Sequence, residues 1–87
     1  MTGNGSRAQG IAADYESARR EMVAHQIRDR GIRSTRVLGA MQSVERHLFV
    51  PTEHASRAYA DEPLPIGEGQ TISQPFMVAA MADALSL

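Results

Sequence analysis

The sequence has no cysteine, no lysine and almost no net charge. Without cysteine there is no disulfide framework, no thiolate metal site and no cysteine nucleophile. The lack of thiols fits a reducing compartment. All nine basic residues are arginine, which reads as a coding bias rather than as a phosphate-binding surface. A formal net charge of −1 makes no strong field toward nucleic acid or an acidic membrane. No apolar run approaches the roughly 20 residues of a membrane-spanning helix, and the N-terminal stretch lacks the apolar core of a secretory signal. From these absences the expectation is a cytoplasmic protein with neither nucleic acid nor membrane as partner. What is present is ordinary. The 87 residues, 43% apolar and 22% charged, suffice for one small domain with a modest core.

Met1 to Ala13 is rich in Gly, Ser, Asn and Ala and offers little to bury, so it reads as a disordered leader. The spacing of Tyr15, Ala18, Met22, Val23 and Ile27 predicts an amphipathic helix starting at Asp14. Arg28 and Arg30 suit its negative end, and Gly31 suits its C′ position. Ser34 is placed to cap a second helix with Val37, Leu38, Met41 and Val44 on its apolar face. Gly39 in that helix suggests close packing. Leu48-Phe49-Val50 is a short apolar run stopped by Pro51. Thr52 is placed to cap a third, short helix with Ala55, Ala58 and Tyr59 on one side. Leu64-Pro65-Ile66 and Thr71-Ile72-Ser73 flank Gly67-Glu68-Gly69, which predicts a hairpin or an extended loop. A last helix begins at Ser73 or Gln74, with Pro75 in its first turn. It is apolar on every side from Phe76 to Ala82, the pattern of a helix buried over most of its surface. The fold class expected for the chain is therefore mostly α with one short β-hairpin.

Few residues here invite chemistry. A hydroxyl at a strand-to-helix turn, Ser73, has two compatible readings. It can cap its helix by accepting a backbone N–H. It can also face a cleft and bind an anion beside the free N–H groups of the helix start. His25, His47 and His54 lack metal-site spacing. His25 reads as a helix-surface residue, and His47 beside Phe49 as a packed, satisfied one. Arg28, Arg30, Arg33 and Arg36 read as a solvated face, with no interleaved aromatics to stack on bases. Gly67 and Gly69 read as turn residues. Asp61 and Glu62 carry no mark of an acid/base pair.

In order and spacing, several segments resemble one family. They are Met22-Val23-Ala24-His25-Gln26-Ile27 with Arg30-Gly31-Ile32, Val37-Leu38 through Met41, and His47-Leu48-Phe49-Val50-Pro51. Ala58-Tyr59, Leu64-Pro65-Ile66-Gly67 and Gln70-Thr71-Ile72-Ser73-Gln74-Pro75-Phe76-Met77 follow. Over residues 15 to 87 the chain resembles the N-terminal part of protein-L-isoaspartate O-methyltransferases. The resemblance implies an α/β S-adenosylmethionine-dependent fold. It implies methyl transfer to the α-carboxylate of L-isoaspartyl residues in damaged proteins, as protein repair. By the same resemblance Ser73 is the catalytic hydroxyl, and Gln70, Thr71, Ile72 and Ser73 lie along the methyl donor. Some relatives carry a His at the position of Val78, and that contact is not carried over. The family's glycine-rich donor loop follows the position of Leu87. Residues 14–87 are thus expected to be the helical entrance, or lid, of a methyltransferase domain without its core sheet, and to be inactive alone. The partners implied are isoaspartyl peptides and proteins, with the oligomeric state open. The other expectation is a free-standing helical interaction module that packs its 76–87 helix on a partner or a second copy.

Overall fold

A computed structural model describes residues 14–85. The leader expected at 1–13 lies outside the described residues, as do Ser86 and Leu87. A first helix, α1, runs over 14–30: α-helical at 14–21, π-helical from Met22–Ile27 and 3-10 at Arg28–Arg30. Helix α2 is Thr35–Ser43. Two 3-10 turns follow, Arg46–Phe49 and Thr52–Arg57. Strands β1 (Leu64–Gly67) and β2 (Gln70–Ile72) form an antiparallel hairpin, and helix α3 is Pro75–Ala84.

The π segment follows from the order of apolar residues. Met22 and Ile27 are both buried, yet residues five apart stand about 140° apart around an α-helix. Widening to i→i+5 bonds turns them toward one face. The Arg28 N–H accordingly reaches both Ala24 O and Val23 O. The apolar spacing lengthens along the helix, from Ala18 to Met22 and then to Ile27, and the backbone follows it. Gly31 ends the helix at φ 109°, a left-handed conformation that glycine adopts without a Cβ clash.

Ser34 caps α2 as expected, its Oγ accepting from Val37 N at 3.3 Å. The close packing expected at Gly39 is absent. This residue is exposed, and a Cβ built on it meets nothing within 4 Å. The glycine thus carries its helix cost without a packing reason. Gly39→Ala is expected to raise stability by about 1 kcal/mol, read as a higher denaturation midpoint; an unchanged or lower midpoint would contradict the open placement.

The core joins Met22 and Ile27 of α1 to Ile32, Val37, Val50, Ala58, Tyr59, Leu64 and Ala79. Thr52 does not cap its helix: the N-cap is Pro51, the turn is 3-10, and no side chain bonds there. Arg46 is only 5% exposed. Its Nε donates to Ala58 O and its Nη2 to Glu62 O, so one buried cation satisfies two loop carbonyls. The hairpin turn has positive φ at Gly67, Glu68 and Gly69, and a bulge shifts the register between Pro65 and Gly67. Leu64, fully buried, pairs with Ile72 and fixes the hairpin to the core.

Helix α3 differs from expectation in one respect. It packs on α1 and α2 through Pro75 and Ala79. Its other side is open: Met77, Val78, Met81 and Leu85 are exposed. An all-apolar helix is therefore buried on one face only among the described residues. Exposed Val44, Leu48 and Phe49 add to the uncovered apolar surface, so Val44 is not part of the α2 core face and the 48–49 run is not buried.

Candidate active site at the strand-to-helix turn

Leu64 anchors β1, β1 pairs with β2, and β2 ends at Ile72, two residues before the Gln74 N-cap of α3. Ser73 therefore stands between two fixed elements. Gln70, Thr71 and Ser73 are exposed, and Ile72 is half-buried. The four residues named from sequence form one continuous rim because they are consecutive. Ile72 also lines a cavity of about 130 Å³ with Met22, Met41, Val44, Arg46, Phe49 and Val78.

Ser73 is not the helix cap. The N-cap is Gln74, and no side chain caps the helix. Both Met77 N (3.1 Å) and Val78 N (3.2 Å) donate to the Gln74 carbonyl. Pro75 has no N–H, so the amides left at the helix start are those of Gln74 and Phe76. A helix start that lacks one N–H at Pro75 and turns the Met77 N–H back on Gln74 O is a poor anion cradle. The anion reading of this turn rests on the hydroxyl, which capping does not consume.

The turn is held by a network that sequence reasoning did not find. Arg30, at the end of α1, grips Asp61 with both Nη atoms. Gln74 Nε2 donates to the same carboxylate, to Oδ1, at 3.1 Å. The Arg30 guanidinium also lies over the Phe76 ring, 5.6 Å from its centroid. Beside it, Arg57 forms a fork on Glu62, at 3.1 and 3.0 Å. Arg30 and Asp61 are 31 residues apart, and nothing local in the sequence signals their pairing. The Asp61 carboxyl is held below the usual carboxylate range, chiefly by the hydrogen bond from Arg30. Glu62 is held low chiefly by the bond from Arg57. Burial pushes the Arg46 guanidinium down, with the Tyr59 hydroxyl opposing it.

These carboxyls are depressed in the fold, so their stabilising contribution is present above the ordinary carboxylate pKa, about 4. It is lost as pH falls through the lower folded values. Denaturation midpoints are expected to fall on acidification below about pH 4, and Asp61→Asn to remove part of that slope. Both pairs are exposed, so the slope is shallow. A midpoint that rises on acidification would contradict the pairing.

His25 and His47 are placed as read. His25 is on the helix surface, its Nδ1 3.1 Å from Asp29 Oδ2. His47 is packed: its ring stacks on Tyr15 at 4.0 Å, and its Nδ1 lies 3.0 Å from the Tyr59 hydroxyl. That hydroxyl also accepts from Arg19 Nη1 at 3.0 Å. Arg28, Arg33 and Arg36 are exposed, as expected of a solvated face, whereas Arg30, also exposed, is engaged by Asp61 and Phe76. Among the described residues no helix is long and apolar enough to cross a membrane.

Comparison with known proteins places this turn in a lineage. The family described as "Protein-L-isoaspartate(D-aspartate) O-methyltransferase (PCMT)" matches residues 17–87. A Protein-L-isoaspartate O-methyltransferase 2 of Anaeromyxobacter sp. (strain Fw109-5) is 61% identical over 72 residues, covering 83% of this chain and 30% of that protein. A Protein-L-isoaspartate O-methyltransferase of Methanospirillum hungatei JF-1 is 60% identical over 68 residues, covering 78% and 32%. A Protein-L-isoaspartate O-methyltransferase 1 of Rhodopseudomonas palustris (strain HaA2) is 50% identical over 90 residues, covering 100% and 37%. The chain spans about a third of the length of these curated relatives.

Proposed function

Since the chain belongs to the protein-L-isoaspartate O-methyltransferase family, we propose that its protein transfers a methyl group from S-adenosylmethionine to the free α-carboxylate of L-isoaspartyl residues in damaged proteins. Residues 14–87 form the helical entrance of that site. The observation that carries this reading is Ser73, an exposed hydroxyl at a turn fixed on both sides and not used as a cap. The rim residues suit the donor. Gln70 and Thr71 are exposed polar side chains beside Ser73, and Ile72 gives an apolar edge. When bound, the donor supplies an electrophilic methyl carbon on a sulfonium.

The roles of this chain's residues follow from the chemistry. A substrate carboxylate is ionised at neutral pH, so it attacks without a general base. Its oxygen forms the new C–O bond as the C–S bond breaks, and the electron pair leaves on sulfur as a neutral thioether. No proton moves. What accelerates such a displacement is alignment and exclusion of water. The Ser73 hydroxyl donates to the carboxylate oxygen that does not attack, which orients the pair. Gln70 and Thr71 hold the donor along the rim, and Ile72 keeps water from it.

The test is transfer of labelled methyl groups to an isoaspartyl peptide by this chain joined at Leu87 to the remaining segment of the Anaeromyxobacter relative. Transfer by the joined protein and none by the 87-residue chain is the expected result. Turnover by the 87 residues alone would overturn the entrance assignment.

A second reading is favoured by one observation, the exposed Met77, Val78, Met81 and Leu85 on α3. An uncovered apolar face of this kind marks an interface. In that reading the chain is a helical module, and light scattering shows a defined dimer with a cooperative melt rather than an aggregating monomer.

A further inference from the structure

The Arg30–Asp61–Gln74 network has no part in the roles assigned above, yet it ends on the residue next to Ser73. We propose that Asp61 is the positioning residue for the Ser73 turn: gripped by Arg30, its carboxylate anchors Gln74 and thereby sets where the Ser73 hydroxyl stands. This inference rests on the reading of Ser73 as the site hydroxyl. Three observations support it. First, the Ser73–Gln74 link has little of its own to hold it. Ser73 is exposed, the helix start lacks a side-chain cap, and Pro75 brings no N–H. Second, the anchor joins three separate segments. Arg30 ends α1, Asp61 lies in the loop before β1, and Gln74 opens α3. Third, the contact is doubled. The same guanidinium that grips Asp61 also lies over the Phe76 ring in the first turn of α3. One planar cation thus fixes that turn through a carboxylate on one path and through an aromatic face on the other.

An exposed ion pair adds little to global stability. The network's effect is therefore local, and this separates a positioning role from a structural one. Other charged groups near Asp61 are engaged elsewhere: Glu62 pairs with Arg57, and Arg46 bonds backbone carbonyls. Asp61 touches neither substrate nor donor in this scheme and acts through Gln74.

Two measurements test the proposal. Amide exchange by NMR on the 87-residue chain follows Met77 and Val78, whose N–H groups bond the Gln74 carbonyl. Val37 and Leu64 in the core serve as controls. Asp61→Asn and Gln74→Ala are each expected to speed exchange at Met77 and Val78 about tenfold, equivalent to 1.4 kcal/mol, with the controls changed less than twofold. The double variant is expected to add nothing further, because both changes cut one link. In the joined protein the same two variants are expected to lower kcat about tenfold with KM for the donor unchanged. Unchanged exchange at Met77 and Val78, or equal loosening of Val37 and Leu64, overturns the proposal whatever Ser73→Ala does. Local loosening alongside a normal rate in Ser73→Ala instead overturns the reading of Ser73, and with it the claim that the anchor serves transfer.

Discussion

Ser73→Ala in the joined protein is expected to lower kcat about 100-fold, the scale at which one preorganised hydrogen-bond donor is lost, while the melt stays within a degree or two of the parent. The two halves of that expectation come from different facts. The rate is expected to fall because the proposal gives this hydroxyl the task of orienting the carboxylate by donating a hydrogen bond. The first turn of α3, with no N–H at Pro75 and the Met77 N–H turned back on Gln74 O, is a poor substitute. The fold survives because Ser73 is exposed and does not cap α3. Had Ser73 been the cap, alanine would cost about 1 kcal/mol of stability, and a lower rate would be ambiguous. Steady-state kinetics beside a thermal melt separates the cases. A near-normal kcat removes Ser73 from the mechanism, and a large drop in melting temperature restores it as a cap.

Leu64→Ala is expected to have the largest effect on stability, a loss of about 2–5 kcal/mol. Leu64 is fully buried and pairs with Ile72 across the hairpin. Its removal leaves a cavity and frees the strand that carries the 70–73 rim. A domain of this size has about 5–15 kcal/mol in total, so the variant approaches unfolding at room temperature. Denaturant titration of the 87-residue chain reads the change directly. A loss below about 1 kcal/mol would show that the site relaxes around the smaller side chain and that the hairpin does not depend on this anchor.

Much of the fold was legible because its signals are local. Ser34 before an apolar-periodic run, Gly31 after one, and Gly67-Glu68-Gly69 between two extended pieces each identify an element from its own chemistry. The misses share a different origin. The π turn needed Met22 and Ile27 to be judged against a common core, which an α-helical template does not do. Gly39 is open rather than crowded, and no local pattern distinguishes the two. Of the two readings of Ser73, the cap is the one the structure does not bear out: Gln74, the other start the sequence allows, takes that position and sends its side chain to Asp61. Arg46 and the Arg30–Asp61 pair depend on contacts between distant segments. The donor-side role proposed for Gln70 to Ser73 comes from the family resemblance, since the residue types alone describe an ordinary turn. The apolar pattern of α3 predicts burial over most of its surface, whereas Met77, Val78, Met81 and Leu85 are exposed, because the described residues supply neighbours for one face only.

The account stands most directly on the choice between an isoaspartyl peptide and its aspartyl twin. The joined protein, given labelled S-adenosylmethionine and each peptide in turn, is predicted to methylate the isoaspartyl form and to leave the aspartyl form unlabelled. Equal labelling of both peptides, or no labelling by a protein that melts cooperatively, would contradict it.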